Sequence, residues 1–100
     1  KIVLAHWGGG IFFFNLLKKD VKERLKNVYF DTAASPFLYR PEIYRYATEI
    51  AGPDKILFGS DFPLLTPARY FKELENAGLT RTQIDAISGL NAAKLLKLLS

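Results

Sequence analysis

The chain has 100 residues, 49% hydrophobic and 14% aromatic, enough apolar matter for a packed core and too much for a disordered segment. It has no cysteine, which removes disulfides, thiolate nucleophiles and cysteine-ligated zinc, and suits a cytoplasmic protein. The net charge of +4 comes from lysines interleaved with Asp20, Glu23, Glu73 and Glu75, the pattern of a solvated helix surface. That argues against a nucleic-acid partner, and no apolar run approaches the roughly 18 residues that span a bilayer.

The first element is a strand, Ile2-Val3-Leu4-Ala5, ending at His6. Continuous apolar runs of this kind read as parallel strands buried on both faces. The run is too short for a signal sequence. A chain without Met that opens inside a strand is expected to be a segment of a longer polypeptide. After Trp7 and Gly8-Gly9-Gly10, a helix is expected over 11–26, with Phe14, Leu17, Val21 and Leu25 on its apolar side and Asn27 as its stop. The second strand, Val28-Tyr29-Phe30, ends at Asp31-Thr32.

Residues 32–40 read as a loop, because Ser35-Pro36 disfavours helix there. Pro41 suits the first turn of the next helix, with Ile43, Ala47 and Ile50 facing inward and Gly52-Pro53 ending it. A third strand over 56–59 leads into Ser60-Asp61-Phe62-Pro63. Thr66-Pro67 then opens a helix with Phe71 and Leu74 inward and Gly78 as terminator. Thr80 and Gln83 have the spacing of a capping box. Ile84 and Ile87 face inward from that helix, Gly89 breaks it, and Asn91 caps a last helix through Leu95, Leu96 and Leu99.

Strand, helix, strand, helix, strand and three helices make an α/β fold with a parallel sheet. The polar residue just past each strand then lies at the carboxyl edge, where α/β folds collect their chemistry. His6, Asp31 and Asp61 are therefore expected on one rim. His6 is the only histidine; a neutral imidazole there can ligate a metal or act as general base. The glycines after it allow close backbone approach to a ligand. They lack Gly-x-Gly-x-x-Gly spacing and no Lys-Ser/Thr follows, so a phosphate cradle has little support.

Asp61 can hold a divalent cation or take a proton from bound water, or merely cap a turn. Its pairing with His6 favours function. Asp31 has three readings: it orients His6, meets substrate, or satisfies backbone N–H groups in the loop through Ser35. Trp7 and Phe62 flank the two leading candidates, as walls of a substrate pocket or as plain packing. Trp7 and Asp31 are taken as the substrate contacts.

Four segments carry a resemblance: Ala5-His6-Trp7-Gly8-Gly9-Gly10, Val28 through Ser35, Ile56-Leu57-Phe58-Gly59-Ser60-Asp61-Phe62-Pro63, and Gly89-Leu90-Asn91-Ala92-Ala93-Lys94-Leu95-Leu96. Together they resemble the amidohydrolase-related TIM-barrel family, which includes aminocarboxymuconate-semialdehyde decarboxylase, resorcylate decarboxylases and lactonases. The likeness covers the chain in order and implies the last three βα units of an eight-unit barrel, a single partial domain over 1–100. It implies a metal-dependent hydrolase or decarboxylase acting on a small molecule. His6, at the end of the sixth strand, would polarise the metal-bound water or assist proton transfer, and Asp61 would bind the metal or the attacking water at the end of the eighth. Family members carry a His-x-His pair on the first strand and a histidine on the fifth; His6 stands alone here. A zinc site takes three or four protein ligands, so these residues alone are expected to bind zinc poorly and catalyse nothing. A catalytically silent interaction module is the rival reading. Three strands leave an open sheet face, at Val3, Ala5, Tyr29 or Phe30, and Leu57 or Phe58, so self-association or a missing barrel half is expected to cover it.

Overall fold

The computed structural model describes residues 1–17, 19–63 and 65–97. Three strands, β1 (Ile2–Leu4), β2 (Val28–Asp31) and β3 (Ile56–Leu57), pair in parallel in the order β1-β2-β3. Leu4 lies opposite Phe30, and Phe30 opposite Ile56. Paired residues of a parallel ladder share a face, so Leu4, Val28, Phe30 and Ile56 form one apolar side. That side meets a core of Trp7, Phe12, Tyr44, Ala47, Ala51, Leu74, Ile84 and Ile87. The other side carries Val3, Tyr29, Asp31 and Leu57.

β3 is shorter than the expected 56–59. Phe58 and Gly59 leave the ladder, and the Thr32 hydroxyl takes over part of its role. It donates to the Gly59 carbonyl at 2.8 Å and accepts the Gly59 N–H at 3.0 Å. On the open side Val3 is 46% exposed and Tyr29 half-buried, whereas Leu57 is buried at 7%. The uncovered patch therefore centres on β1 and β2, and does not extend to Leu57 or Phe30.

The helix expected over 11–26 is replaced by two pieces. A tight segment runs from His6 to Leu16, and α1 covers Lys19–Arg24. Phe14 and Leu17, expected inward, are 51% and 58% exposed, while Phe12 is buried. The cause is upstream: residues 6–10 coil left-handed and rotate everything after them. The expected loop over 32–40 contains a one-turn helix, α2 (Ser35–Leu38), with Pro36 in its first turn. There its missing N–H has no intrahelical role to lose.

α3 (Glu42–Ala51) starts after Pro41 and ends at Gly52, whose φ of 100° suits glycine. Its buried side is Tyr44, Ala47, Thr48 and Ala51, a three- and four-residue spacing. Ile43 and Ile50 pack at its flanks. α4 (Pro67–Glu75) begins after Thr66, which makes no side-chain cap bond. It buries Tyr70 and Leu74; Phe71, expected inward, is 40% exposed and stacks on Phe58 at 4.9 Å. α4 stops before Gly78, whose φ of 79° turns the chain.

The Thr80–Gln83 capping box forms as expected at the start of α5 (Arg81–Asp85). Gly89 does not break the chain there. It sits within a wider π-turn, Ala86–Leu90, that runs directly into α6 (Asn91–Leu95). Asn91 is not a cap. Its amide donates to the carbonyls of Pro53 and Ile56, tying α6 to the start of β3. Leu99 lies outside the described residues. No helix among them is long and apolar enough to cross a membrane.

Candidate functional site

The carboxyl ends of the strands carry His6, Asp31 and Asp61, as the topology requires. The backbone there is unusual. His6, Trp7, Gly8, Gly9 and Gly10 have φ of 56, 59, 61, 65 and 90°, five consecutive left-handed residues. Glycine adopts this freely, but a side-chain residue does so at about 1–2 kcal/mol each. At Gly8 an added Cβ would also stand 2.9 Å from Ile11 Cγ2.

Trp7 supplies the offsetting contacts. Its ring is fully buried, edge-on to Tyr44 at 5.7 Å and to Phe12 at 6.4 Å. Its indole N–H donates to Ser35 Oγ at 2.6 Å, and Ser35 Oγ donates to the Thr32 carbonyl. The expectation that Trp7 contacts substrate is thereby corrected. An indole with no exposed surface walls no pocket; it anchors the turn that presents His6. Phe62, by contrast, is 73% exposed.

His6 is held at three points. Its backbone N–H donates to Asp31 Oδ1 at 2.9 Å, and its carbonyl accepts from the Tyr39 hydroxyl at 3.0 Å. Its Nδ1 lies 2.9 Å from the Ala33 carbonyl. A carbonyl only accepts, so Nδ1 carries a proton, and in the neutral ring Nε2 is left with its lone pair. Among the described residues nothing bonds Nε2.

Asp31 Oδ1 also accepts the Ala33 N–H at 3.1 Å. The two of its three readings that show directly are orientation of His6 and satisfaction of the loop. The structure thus brings His6 and Asp31 into direct contact.

Asp61 is exposed and has φ of 56°. It bonds neither His6 nor Asp31 among the described residues. Its link to them is indirect, through Tyr70. The Tyr70 hydroxyl accepts the Ala34 N–H at 2.8 Å and donates to the Ser60 carbonyl, one residue before Asp61. Burial raises the Tyr70 phenol above its ordinary value; the Ala34 N–H opposes this, and the Asp61, Glu73 and Asp31 carboxylates add to it. Tyr70, Thr32 and Tyr39 are not among the site residues that the sequence singles out. Tyr70 had a signal, since a tyrosine four residues before Leu74 on a buried stripe needs a hydroxyl partner.

His6 Nε2 and the Asp61 carboxylate are donor types that suit a divalent cation. Among the described residues, however, no three His, Cys, Asp or Glu side chains cluster as metal ligands.

The amidohydrolase family profile matches residues 1–98. A 6-methylsalicylic acid decarboxylase from Penicillium expansum is 28% identical over 118 aligned residues, covering 97% of this chain and 36% of that protein. Two solved structures superpose closely. A dihydroxybenzoic acid decarboxylase from Polaromonas sp. JS666, with bound manganese and the inhibitor 2-nitroresorcinol, has a TM-score of 0.79 at 23% identity, over 98% of this chain and 34% of that one. A 5-carboxyvanillate decarboxylase from Sphingomonas paucimobilis has a TM-score of 0.74 at 20% identity, over 97% and 33%. The chain spans about a third of the length of the proteins it matches. Its fold is that of three βα units of their barrels, as the resemblance implied.

Proposed function

Because the chain belongs to the amidohydrolase family, we propose that the protein carrying it removes the carboxylate from a hydroxylated aromatic acid with the help of a divalent cation. The observation that carries this reading is the shared rim, with His6 fixed so that Nε2 stays unbonded among the described residues. Decarboxylation is favoured over lactone or amide hydrolysis by the three relatives described above, all of them named decarboxylases. In this reaction the bond between ring carbon and carboxylate breaks, CO2 leaves, and a proton takes its place. His6 Nε2 is the atom suited to take that proton from solvent and deliver it. Asp61 serves as one ligand of the cation, zinc in our reading, with further ligands from outside these residues. Asp31 meets a substrate hydroxyl through Oδ2, since Oδ1 is occupied by backbone.

The test is CO2 release from hydroxybenzoic acids by the full-length protein, loaded in turn with zinc and with manganese. Asp61→Ala should reduce release to background. His6→Asn should lower kcat far more than it changes KM. Undiminished release in both variants refutes the reading, and activity with manganese alone refutes zinc.

The 100 residues by themselves, one partial domain, are proposed to be inert and to bind zinc weakly. Val3 and Tyr29 leave apolar surface on the open side of the sheet, to be covered by the rest of a barrel or by self-association. Light scattering of these residues alone should show oligomers; a monomer with a sharp thermal transition refutes this. A cytoplasmic location fits the absence of cysteine.

A further inference from the structure

We propose that Tyr70 is a positioning residue that couples the His6 ring to the backbone of Asp61 through a one-directional chain of hydrogen bonds. This rests on the reading of His6 and Asp61 as the working pair. His6 Nδ1–H donates to the Ala33 carbonyl at 2.9 Å. The N–H of the same peptide unit, which belongs to Ala34, donates to the Tyr70 hydroxyl at 2.8 Å. That hydroxyl donates to the Ser60 carbonyl, whose peptide unit continues into Asp61.

Every donor points the same way, so each bond polarises the next. The direction is fixed at both ends. The Ser60 carbonyl can only accept, which turns the Tyr70 proton toward it and leaves the phenol oxygen to accept from Ala34. The peptide so polarised accepts from Nδ1, which selects the tautomer whose Nε2 has a lone pair. The chain also spans strained backbone. Ala34 and Asp61 have φ of 61 and 56°, and such residues persist where their surroundings over-determine them. Tyr70 is itself fully buried and edge-on to Phe58 at 5.6 Å, so packing of its ring positions the hydroxyl. One side chain thus reinforces the His6 tautomer that the Ala33 carbonyl selects and holds the peptide that leads into Asp61.

The test is the His6 tautomer in the full-length protein, read by nitrogen-15 correlation spectra of labelled histidine and assigned by loss of the signal in His6→Asn. Wild type should show Nδ1–H as the dominant form. Tyr70→Phe keeps the ring and removes the relay, and should raise the Nε2–H share roughly twofold. Tyr44→Phe, which removes the hydroxyl of an equally buried tyrosine outside the relay, should leave the share unchanged. An unchanged share in Tyr70→Phe, or an equal change in Tyr44→Phe, overturns the proposal. If Tyr70→Phe does not fold, the wild-type hydroxyl proton of Tyr70 decides: slow exchange with water supports the relay, and rapid averaging overturns it. A tautomer shift in Tyr70→Phe alongside undiminished CO2 release in His6→Asn would leave the relay standing and remove His6 from the reaction.

Discussion

The helix-facing side of the sheet and the rim at its strand ends are held by different forces. On the helix side Phe30, Ile56, Leu74 and Ile87 are at most 2% exposed and pack apolar atom against apolar atom. At the rim His6, Ala34 and Asp61 sit left-handed, and side chains bond backbone across loops at Asp31, Thr32, Tyr39 and Tyr70. Packing is non-directional and tolerant of position, whereas these bonds fix atoms in place. The difference teaches that stability and placement reside in separate parts of this small fold. Changes to the first should unfold it, and changes to the second should leave it folded but misaligned.

The largest effect is expected on the helix side. Phe30→Ala should cost about 3–5 kcal/mol in urea denaturation, because the ring packs edge-on to Phe12 at 5.9 Å in the core. The molecules that remain folded should keep the wild-type His6 tautomer; a changed tautomer would break the separation of the two regions. Next comes Thr32→Val at the rim, which is nearly isosteric. It removes both bonds to Gly59 and should cost about 1–3 kcal/mol. Its turnover should fall further than Phe30→Ala reduces it under conditions where both are folded. Equal turnover in the two variants would count against the comparison.

Tyr44→Phe tests a polar bond at the outer end of the core. Tyr44 donates to Glu73 at 2.9 Å, and its loss should lower stability by about 1 kcal/mol with turnover unchanged.

Alkaline pH reaches both regions together. Burial raises the phenols of Tyr44 and Tyr70, with Glu73 adding to both. The folded chain therefore keeps protons that the unfolded chain begins to lose near pH 10. That stability is complete below this pH and is lost as pH rises through the folded values. The urea midpoint should fall between about pH 9 and 11, less steeply in Tyr44→Phe; a flat profile refutes the assignment.

The smallest effect is expected at the surface. Lys26 bonds Glu23 at 2.8 Å in full solvent. Lys26→Ala should leave the melting curve and its salt dependence unchanged.

Much of this could be read along the chain. Three apolar runs ending in polar residues, separated by helical crossovers, implied a parallel sheet with His6, Asp31 and Asp61 at one edge, because apolar runs are local and crossovers of that length join parallel strands. The Thr80–Gln83 box was equally local and formed as expected. The helix expected over 11–26 does not form as one piece, because the residues that set its period follow a left-handed coil. Trp7 is buried and not a pocket wall because its exposure depends on what α3 brings over it, namely Tyr44. Asn91 is a residue type that suits a cap, but its amide reaches Pro53 and Ile56, more than 30 residues away.

The sequence by itself determined the α/β order of elements, the membership of one rim and the residue types available there. These follow from short-range periodicity and from the chemistry of single side chains. Only the tertiary structure decided which nitrogen of His6 carries the proton, which oxygen of Asp31 is occupied, and that Tyr70 joins the Ala33–Ala34 peptide to Ser60. Each of those is a hydrogen bond between groups far apart in the chain or set by a backbone turn. Its geometry exists only once the sheet has placed the strand ends side by side.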